Sequence, residues 1–576
     1  MKRSTVALAI LLVFAALVLH LSVSWQDFST LARNGYLYDD SFYAFQIAHN
    51  IAAGNGPTFD GETPTNGFQP LYVFMLVPAF WLAGPDQITP IYFALTLLAL
   101  MTAATALLLF LIARRYASDA VALAAALVWV FSPVVVRQSA NGLETALAVL
   151  LFAWSVYYYL ERIRSTPHAS AGQFAKLGVL LGLAVLARVD EFLLVLAMTL
   201  DYLLLVRRRA RTGEARGALK GLGIAAATVF AVCLPWGIYG LAAVGSVLPE
   251  SGAATRFLSI AYAPFFDLGP ADMMDQGAGP SFVWAHVVHS FSVLKLSPPV
   301  HVFYRAVEKL GDGSAPTGWI LYAIDSVSLA ALAVFGFWVM RRGRADGAHD
   351  RREISFLLLF AVLLMAAYST WVFGVFFFTR YFYPVYFVAS VFAACVLQDV
   401  VAWAGLRRPL LRVAVTGAFV LYAVGLVFMG LTSAYRSVPV YRFYDIARWV
   451  EKNTLEEETI GVFQGGAIGY FSNRHVINLD GKVNGRALEA LRAGDMCGYV
   501  TRSGIDVVMD HADVLELFLG PDAGSATTGV ETKQCFTGST IGAMGWIGYR
   551  LGDTENTAGG ADPRASGANG AASVSN

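Results

Sequence analysis

Two acids stand side by side in the segment LYDDSFYAFQIAHNIAAGNGPTFDGETPTNGFQPLY. They are Asp39 and Asp40. Between Asp27 and Gln69 the acids Asp27, Asp39, Asp40, Asp60 and Glu62 are accompanied by one basic residue, Arg33. A carboxylate fixed in such a stretch can take a proton from a reacting hydroxyl as a general base. The plainer reading is an N-cap with a solvated neighbour, because acids at the start of a helix sit well in its dipole. The second cluster is Arg188, Asp190 and Glu191 in RVDE. A guanidinium there suits a phosphate by charge and by its fork of donors. It equally suits a local ion pair with Asp190 or Glu191. Arg380 in FFFTRYFYP and Glu144 in NGLETAL are further charges next to apolar runs, and Asp325 lies within one.

These residues need a scaffold, and the composition says what kind. The chain has 576 residues, 57% hydrophobic and 14% charged. Soluble domains carry roughly 25% charged residues. The charge is too sparse to cover a water-facing surface of this size. That excludes an ordinary soluble enzyme, a disordered scaffold and a disulfide-dense secreted domain. The net charge is zero, 41 basic against 41 acidic residues, so nothing draws the chain toward nucleic acid.

A bilayer core takes roughly 20 apolar residues per helix, and the runs suggest about eleven spans. They lie near 5–25, 88–112, 119–137, 145–161, 173–187, 191–206, 219–242, 317–340, 354–372, 381–400 and 411–433. The first follows Met-Lys-Arg. It is long and lacks a small-x-small cleavage site, so it reads as a retained span. The basic residues at 2–3, 114–115, 162–176, 207–220, 341–352 and 407–412 all fall on one side if these spans alternate. Positive charge is retained on the cytoplasmic side. The N-terminus is therefore expected inside, and everything past about 433 outside. Residues 69–84 are apolar but short and carry two prolines, so they read as a helix on or dipping into the outer face.

The organisation that follows is a membrane bundle over 1–433, interrupted by outer loops at 26–87 and 243–316. An extracytoplasmic soluble domain covers 434–552, and a Gly/Ala/Ser/Asn-rich tail at 553–576 is expected to be disordered. The soluble domain reads α/β. DIARWVEKNT has helical spacing, TIGVF, HVINL and GIDVVMD read as strands, and GGAIGYF as a glycine-rich turn between the first two. Of the four cysteines, Cys233 and Cys395 lie in spans. Cys497 and Cys535 share the outer domain and are the candidate disulfide.

No HExxH, CxxC, Walker loop or GxSxG elbow occurs, and GGAIG lacks the dinucleotide spacing. No cofactor is implied. A divalent ion on Asp39 or Asp40 is compatible with the acids but has no motif behind it.

The motifs DDSFYAFQIAHNIAAGNG, TNGFQPLY, NGLETAL, LARVDE, LPWGIYGLAAVGSVLPESG, RYFYP and GAIGYFSNRHVINLDGKVNG, in that order, resemble bacterial glycosyltransferases of the GT-C fold. Protein O-mannosyltransferases, lipid A aminoarabinose transferases and mycobacterial arabinofuranosyltransferases are relatives at the fold level. The resemblance covers about residues 36–485. It implies a polytopic α-helical, GT-C-like enzyme in a bacterial inner membrane, moving a hexosyl or pentosyl group from a polyprenyl-phosphate donor to an extracytoplasmic glycan, lipid or protein. It implies Asp39 as the base, Asp40 as the second acid, and Arg188 and Arg380 as donor-phosphate residues. Asn66, Gln69, Glu144, Asp190 and Glu191 fall to supporting or substrate-binding roles. Gln69 stands where relatives commonly have His, which removes a titratable group from that position. A lipid-linked glycan polymerase or ligase uses nearly the same chemistry. A transporter or flippase would favour charges near the midplane, and a non-catalytic assembly subunit would have no need of the acids.

Overall fold

The computed structural model describes residues 3–33, 36–166, 168–209, 215–261, 334, 337, 349–371, 380–403, 442–519 and 538–551. The expected span 317–340 apart from residues 334 and 337, with Asp325, the span 411–433, most of the loop 243–316, Cys535 and the tail lie outside them.

Five helical stretches among the described residues are long and apolar enough to cross a membrane. They are Arg3–Ser24, Thr89–Ala113, Thr145–Arg164, Leu219–Val244 and Tyr383–Ala402. Pro70–Ala83, Asp119–Val130 and Ala171–Ala187 are apolar but shorter. The expected span 119–137 is in fact two helices, Asp119–Val130 and Pro133–Ser139. Ser132 between them is extended (φ −64°, ψ 132°). The following proline disfavours α geometry at that residue. The Ser132 hydroxyl then takes a hydrogen bond from Tyr386 at 2.7 Å.

The bundle core is built from Trp129, Phe152, Phe356, Phe360 and Phe387, all buried. At one end of it the basic residues expected inside meet acids of other helices. Arg115 pairs with Glu161 and Glu353, Arg164 with Asp201, and Arg351 with Asp399.

The stretch 26–87, expected as the first outer loop, is mostly helical. We label its site-bearing helix α1 (Asp39–Ala53) and the next α2 (Pro70–Ala83). The apolar residues of α1 repeat at Phe42, Phe45, Ile47 and Ile51. Three of these are buried and Ile51 is partly so, which explains why this stretch is a docked helix. Tyr38 is its N-cap and makes no side-chain cap bond, so Asp39 and Asp40 lie within the first turn.

The region expected as the soluble domain contains, among its described residues, the strands β1 (Thr459–Val462), β2 (His475–Asn478), β3 (Val507–His511), β4 (Gly538–Ala543) and β5 (Trp546–Leu551). Their order is β2-β1-β3-β5-β4. β1 is parallel to β2 and β3, while β5 runs antiparallel to β3 and β4. The hairpin β4–β5 adds to the three strands expected from sequence. GGAIGYF is not only a turn: it carries a short helix, α3 (Gly466–Phe471). Its reason is tertiary. Phe42, Tyr470, Phe471, Phe28 and Tyr444 interlock, with neighbouring ring centroids 4.8–5.9 Å apart. One buried cluster therefore runs from α1 and α2 into the soluble domain through Val462, Ile468 and Trp546. Each such side chain contributes about 1.5–3 kcal/mol when fully buried, so this domain is seated on the helices of 26–87 rather than tethered to them.

Candidate active site

The carboxyl ends of the parallel strands β1 and β2 point at the first turn of α1. In open α/β sheets that edge is where ligands collect, and here it receives the two acids. Asp39 accepts hydrogen bonds from the backbone N–H of Gly466 (3.1 Å, to Oδ2) and of Ala467 (2.8 Å, to Oδ1). A side chain on residue 466 is excluded. A Cβ there would lie 2.2 Å from the carbonyl oxygen of Asp39. One turn along, the Tyr43 hydroxyl accepts from Gly465 N and from Asn478 Nδ2, both at 3.0 Å.

Asp40 faces the other way, toward cations from two parts of the chain. Arg380 Nη2 donates to its Oδ2 at 2.5 Å, and Lys482 Nζ lies 3.5 Å from Oδ1. Lys482 also pairs with Asp480 at 3.1 Å. The two acids thus differ in kind. Burial pushes the Asp39 carboxyl up to about 8, against the two backbone N–H donors, and the Asp40 charge beside it acts in the same direction as burial. Burial also works against the charge on Asp40, but Lys482 and Arg380 outweigh it and hold that carboxyl well below the usual range. Neighbouring acids pushed apart in this way are the pattern of a base beside a fixed anion.

The RVDE tip forms a second node. Arg188 donates through Nε and Nη2 to both oxygens of Asp190 (3.1 and 2.7 Å), through Nη1 to Glu144 (2.8 Å), and through Nη2 to the Tyr368 hydroxyl (3.0 Å). These bonds occupy four of the five guanidinium N–H groups. Tyr381 joins the nodes. Arg188 stands 5.4 Å and Arg380 5.1 Å from its ring centroid, and Tyr368 stacks on it at 4.9 Å. The expected residues Glu144, Arg188, Asp190, Arg380 and Asp40 are therefore brought into one chain of contacts. Removing Arg188 leaves two acids beside it without their cation. Arg188→Leu is expected to destabilise the fold by about 3–5 kcal/mol, read as a lower melting temperature of the detergent-solubilised protein. An unchanged melt would show that this node is not structural.

The other expected residues are placed differently. Asn66 donates to the carbonyls of Ser246 and Leu248 and accepts from Glu250 N, so its amide ties the first loop to residues 246–250. Gln69 is the N-cap of α2 without a side-chain cap bond. Glu191 is buried and neither of its oxygens has a hydrogen-bond partner. Among the described residues no group of three His, Cys, Asp or Glu could hold a metal ion. Cys497 is disulfide-bonded; its expected partner lies outside the described residues. Sequence reasoning missed Lys482, Tyr368 and Tyr381 as members of the site. The signal for Lys482 was the DGK turn directly after a strand.

The chain aligns with an archaeal oligosaccharyltransferase, AglB from Archaeoglobus fulgidus, solved in complex with an inhibitory peptide and a dolichol-phosphate. The match covers 88% of this chain and 69% of the other, with a TM-score of 0.54 and 16% identity. The chain has a GT-C fold. A second structure of the Archaeoglobus enzyme, tethered to an acceptor peptide, agrees at a TM-score of 0.53 and 14% identity, over 89% and 69% of the two chains. Within this GT-C chain, residues 69–239 match the family described as dolichyl-phosphate-mannose-protein mannosyltransferase. Residues 433–550 match a domain family of unknown function. A terminal beta-(1->2)-arabinofuranosyltransferase of Mycobacterium tuberculosis is 27% identical over 233 residues, which are 38% of this chain and 36% of that protein. The match thus spans about a third of that curated relative. The GT-C fold and its apolar helices make this a multi-pass membrane protein.

Proposed function

We propose that the chain is an inverting glycosyltransferase of the bacterial inner membrane, taking a hexosyl or pentosyl group from a polyprenyl-phosphate donor. The acceptor is a cell-envelope glycan, glycolipid or protein on the outer side, where the soluble domain lies, with the N-terminus inside. The observation that carries this reading is the divided acid pair, Asp39 on backbone amides and Asp40 on Arg380 and Lys482.

In the proposed step an acceptor hydroxyl attacks the anomeric carbon from the face opposite the phosphate. Asp39 takes the hydroxyl proton as the new C–O bond forms. The bond from the anomeric carbon to the phosphate oxygen breaks, and polyprenyl phosphate leaves with the bonding pair. A carboxylate offers about four lone-pair sites, and the backbone amides of Gly466 and Ala467 use two. The charge growing on the phosphate is met by Arg380, with Arg188 supporting it from behind Tyr381, in the manner of a preorganised electrostatic clamp.

Purified protein incubated with a panel of radiolabelled polyprenyl-phosphate sugars and membrane extract is expected to transfer label from one of them, with inversion at the anomeric carbon. Transfer from none would refute the reading. Retention would refute single displacement.

A further inference from the structure

We propose that the soluble domain supplies a positioning residue of the transfer site. Lys482, which shares Asp40 with Arg380, sets the charge around Asp39, the proton acceptor. This deepens the transfer reading above and rests on it.

The geometry begins with a turn that gives Lys482 little freedom. Strand β2 ends at Asn478, whose side-chain oxygen accepts from Gly481 N at 3.1 Å. Asp480 is buried, and its Oδ1 accepts from the backbone N–H of Lys482 at 2.9 Å. Gly481 has φ +79°. This is a left-handed geometry that costs glycine nothing and other residues roughly 1–2 kcal/mol. The turn is clamped from outside as well. A Cβ on Gly67 would lie 1.9 Å from the Lys482 carbonyl oxygen, so the first outer loop packs directly on this backbone. The lysine stem thus leaves a fixed point, and its ammonium bridges Asp480 and Asp40.

The charges facing the acid pair come from three sources. Helix α1 brings Asp39, Asp40 and the Tyr43 hydroxyl. The bundle brings Arg380 and Tyr381. The sheet edge brings Asp480, Lys482 and the buried Asp510, whose carboxylate is held by the amides of Phe463, Gln464 and His511. Two cations from different domains therefore share one carboxylate, each on its own oxygen. Loss of Lys482 would leave Arg380 on Asp40, so Asp40 would stay ionised. Asp39 would lose a nearby cation and face an unpaired Asp480. Both changes make Asp39 hold its proton more tightly. A nearby opposite charge moves a carboxyl by about one to three pH units.

The test is the pH dependence of kcat/KM for sugar transfer by the full-length protein, comparing wild type, Lys482→Met and Lys482→Arg. Lys482→Met is expected to move the acid limb up by about one pH unit and to lower kcat more than it raises the donor KM. Lys482→Arg is expected to return the limb to the wild-type position, since it restores the charge. An acid limb that stays put in an active Lys482→Met protein overturns the inference. So does a Lys482→Arg limb displaced as far as that of Lys482→Met. If Lys482→Met does not fold, Lys482→Arg against Asp480→Asn decides. Asp480→Asn removes an anion, so its limb must move down, and an unmoved or raised limb overturns the inference. A wild type that transfers no sugar overturns the transfer reading and this inference together, whereas an active wild type with coincident profiles overturns this inference alone.

Discussion

Asp39→Asn is expected to lower kcat for sugar transfer by about 10²–10⁴-fold, the range that general-base catalysis supplies, while the protein still folds. The substitution is close to isosteric. The asparagine side-chain oxygen can still accept one of the two amide hydrogen bonds, from Gly466 or Ala467, that hold Asp39. The NH₂ group turned toward the other amide has no acceptor there. The local cost is therefore a buried donor left unsatisfied, about 1–3 kcal/mol, too little to unfold a domain seated by an aromatic cluster. What is lost is basicity. Asp40→Asn is a different experiment, because it leaves Arg380 and Lys482 without the carboxylate they share, and it is expected to harm folding as well as rate. Wild-type pH dependence gives a second check. A base works only when deprotonated, and the Asp39 carboxyl is raised to about 8. kcat/KM should therefore climb as pH rises through that region, far above the ordinary aspartate range. An acid limb near pH 4, or a fully active Asp39→Asn, would remove Asp39 from the role.

Much of this site was legible because charge is scarce at the ends of apolar helices. In such a background Arg188, Arg380, Glu144 and the acid pair could not pass as ordinary surface, and they do form linked contacts. Helix α1 was legible from its apolar spacing. Lys482 was hidden for the opposite reason. A DGK sequence after a strand reads as a solvated turn in any soluble domain, and only the packing of Gly67 and Asp40 against it makes it a site residue. Pro133 marked the break at Ser132, but the unbroken run of apolar residues favoured one long span. The helix at GGAIGYF runs against propensity, since glycine disfavours helix by about 1 kcal/mol relative to alanine. Its aromatics are buried against α1 and the preceding loop, and the sequence does not contain that partner nearby. Strands β4 and β5 were missed because Gly542 and Gly548 interrupt the alternation within GSTIGAMGWIGYRL.

The glycine that makes the helix at 466–471 improbable also provides the sharpest mechanical test. Gly466→Ala is expected to reduce kcat by about 10²-fold, the cost of misplacing a reacting group by roughly 1 Å. The added Cβ would sit 2.2 Å from the Asp39 carbonyl oxygen and 3.0 Å from Oδ1. The first of these neighbours is backbone, and no rotamer change relieves it. Either α1 or the soluble domain must shift, and the shift acts directly on Asp39. The backbone at 466 has no positive φ that would trouble alanine, so the effect isolates the close approach from conformational strain. Gly465→Ala is the control. Its Cβ would meet nothing nearer than Val462 at 3.4 Å, an ordinary contact, and the Gly465 N–H bond to Tyr43 is kept. It should stay within a few-fold of wild type, on the order of 1 kcal/mol or less for a tolerated small change. Equal activity in the two variants would mean that the seating of α1 on this helix does not set the position of the base.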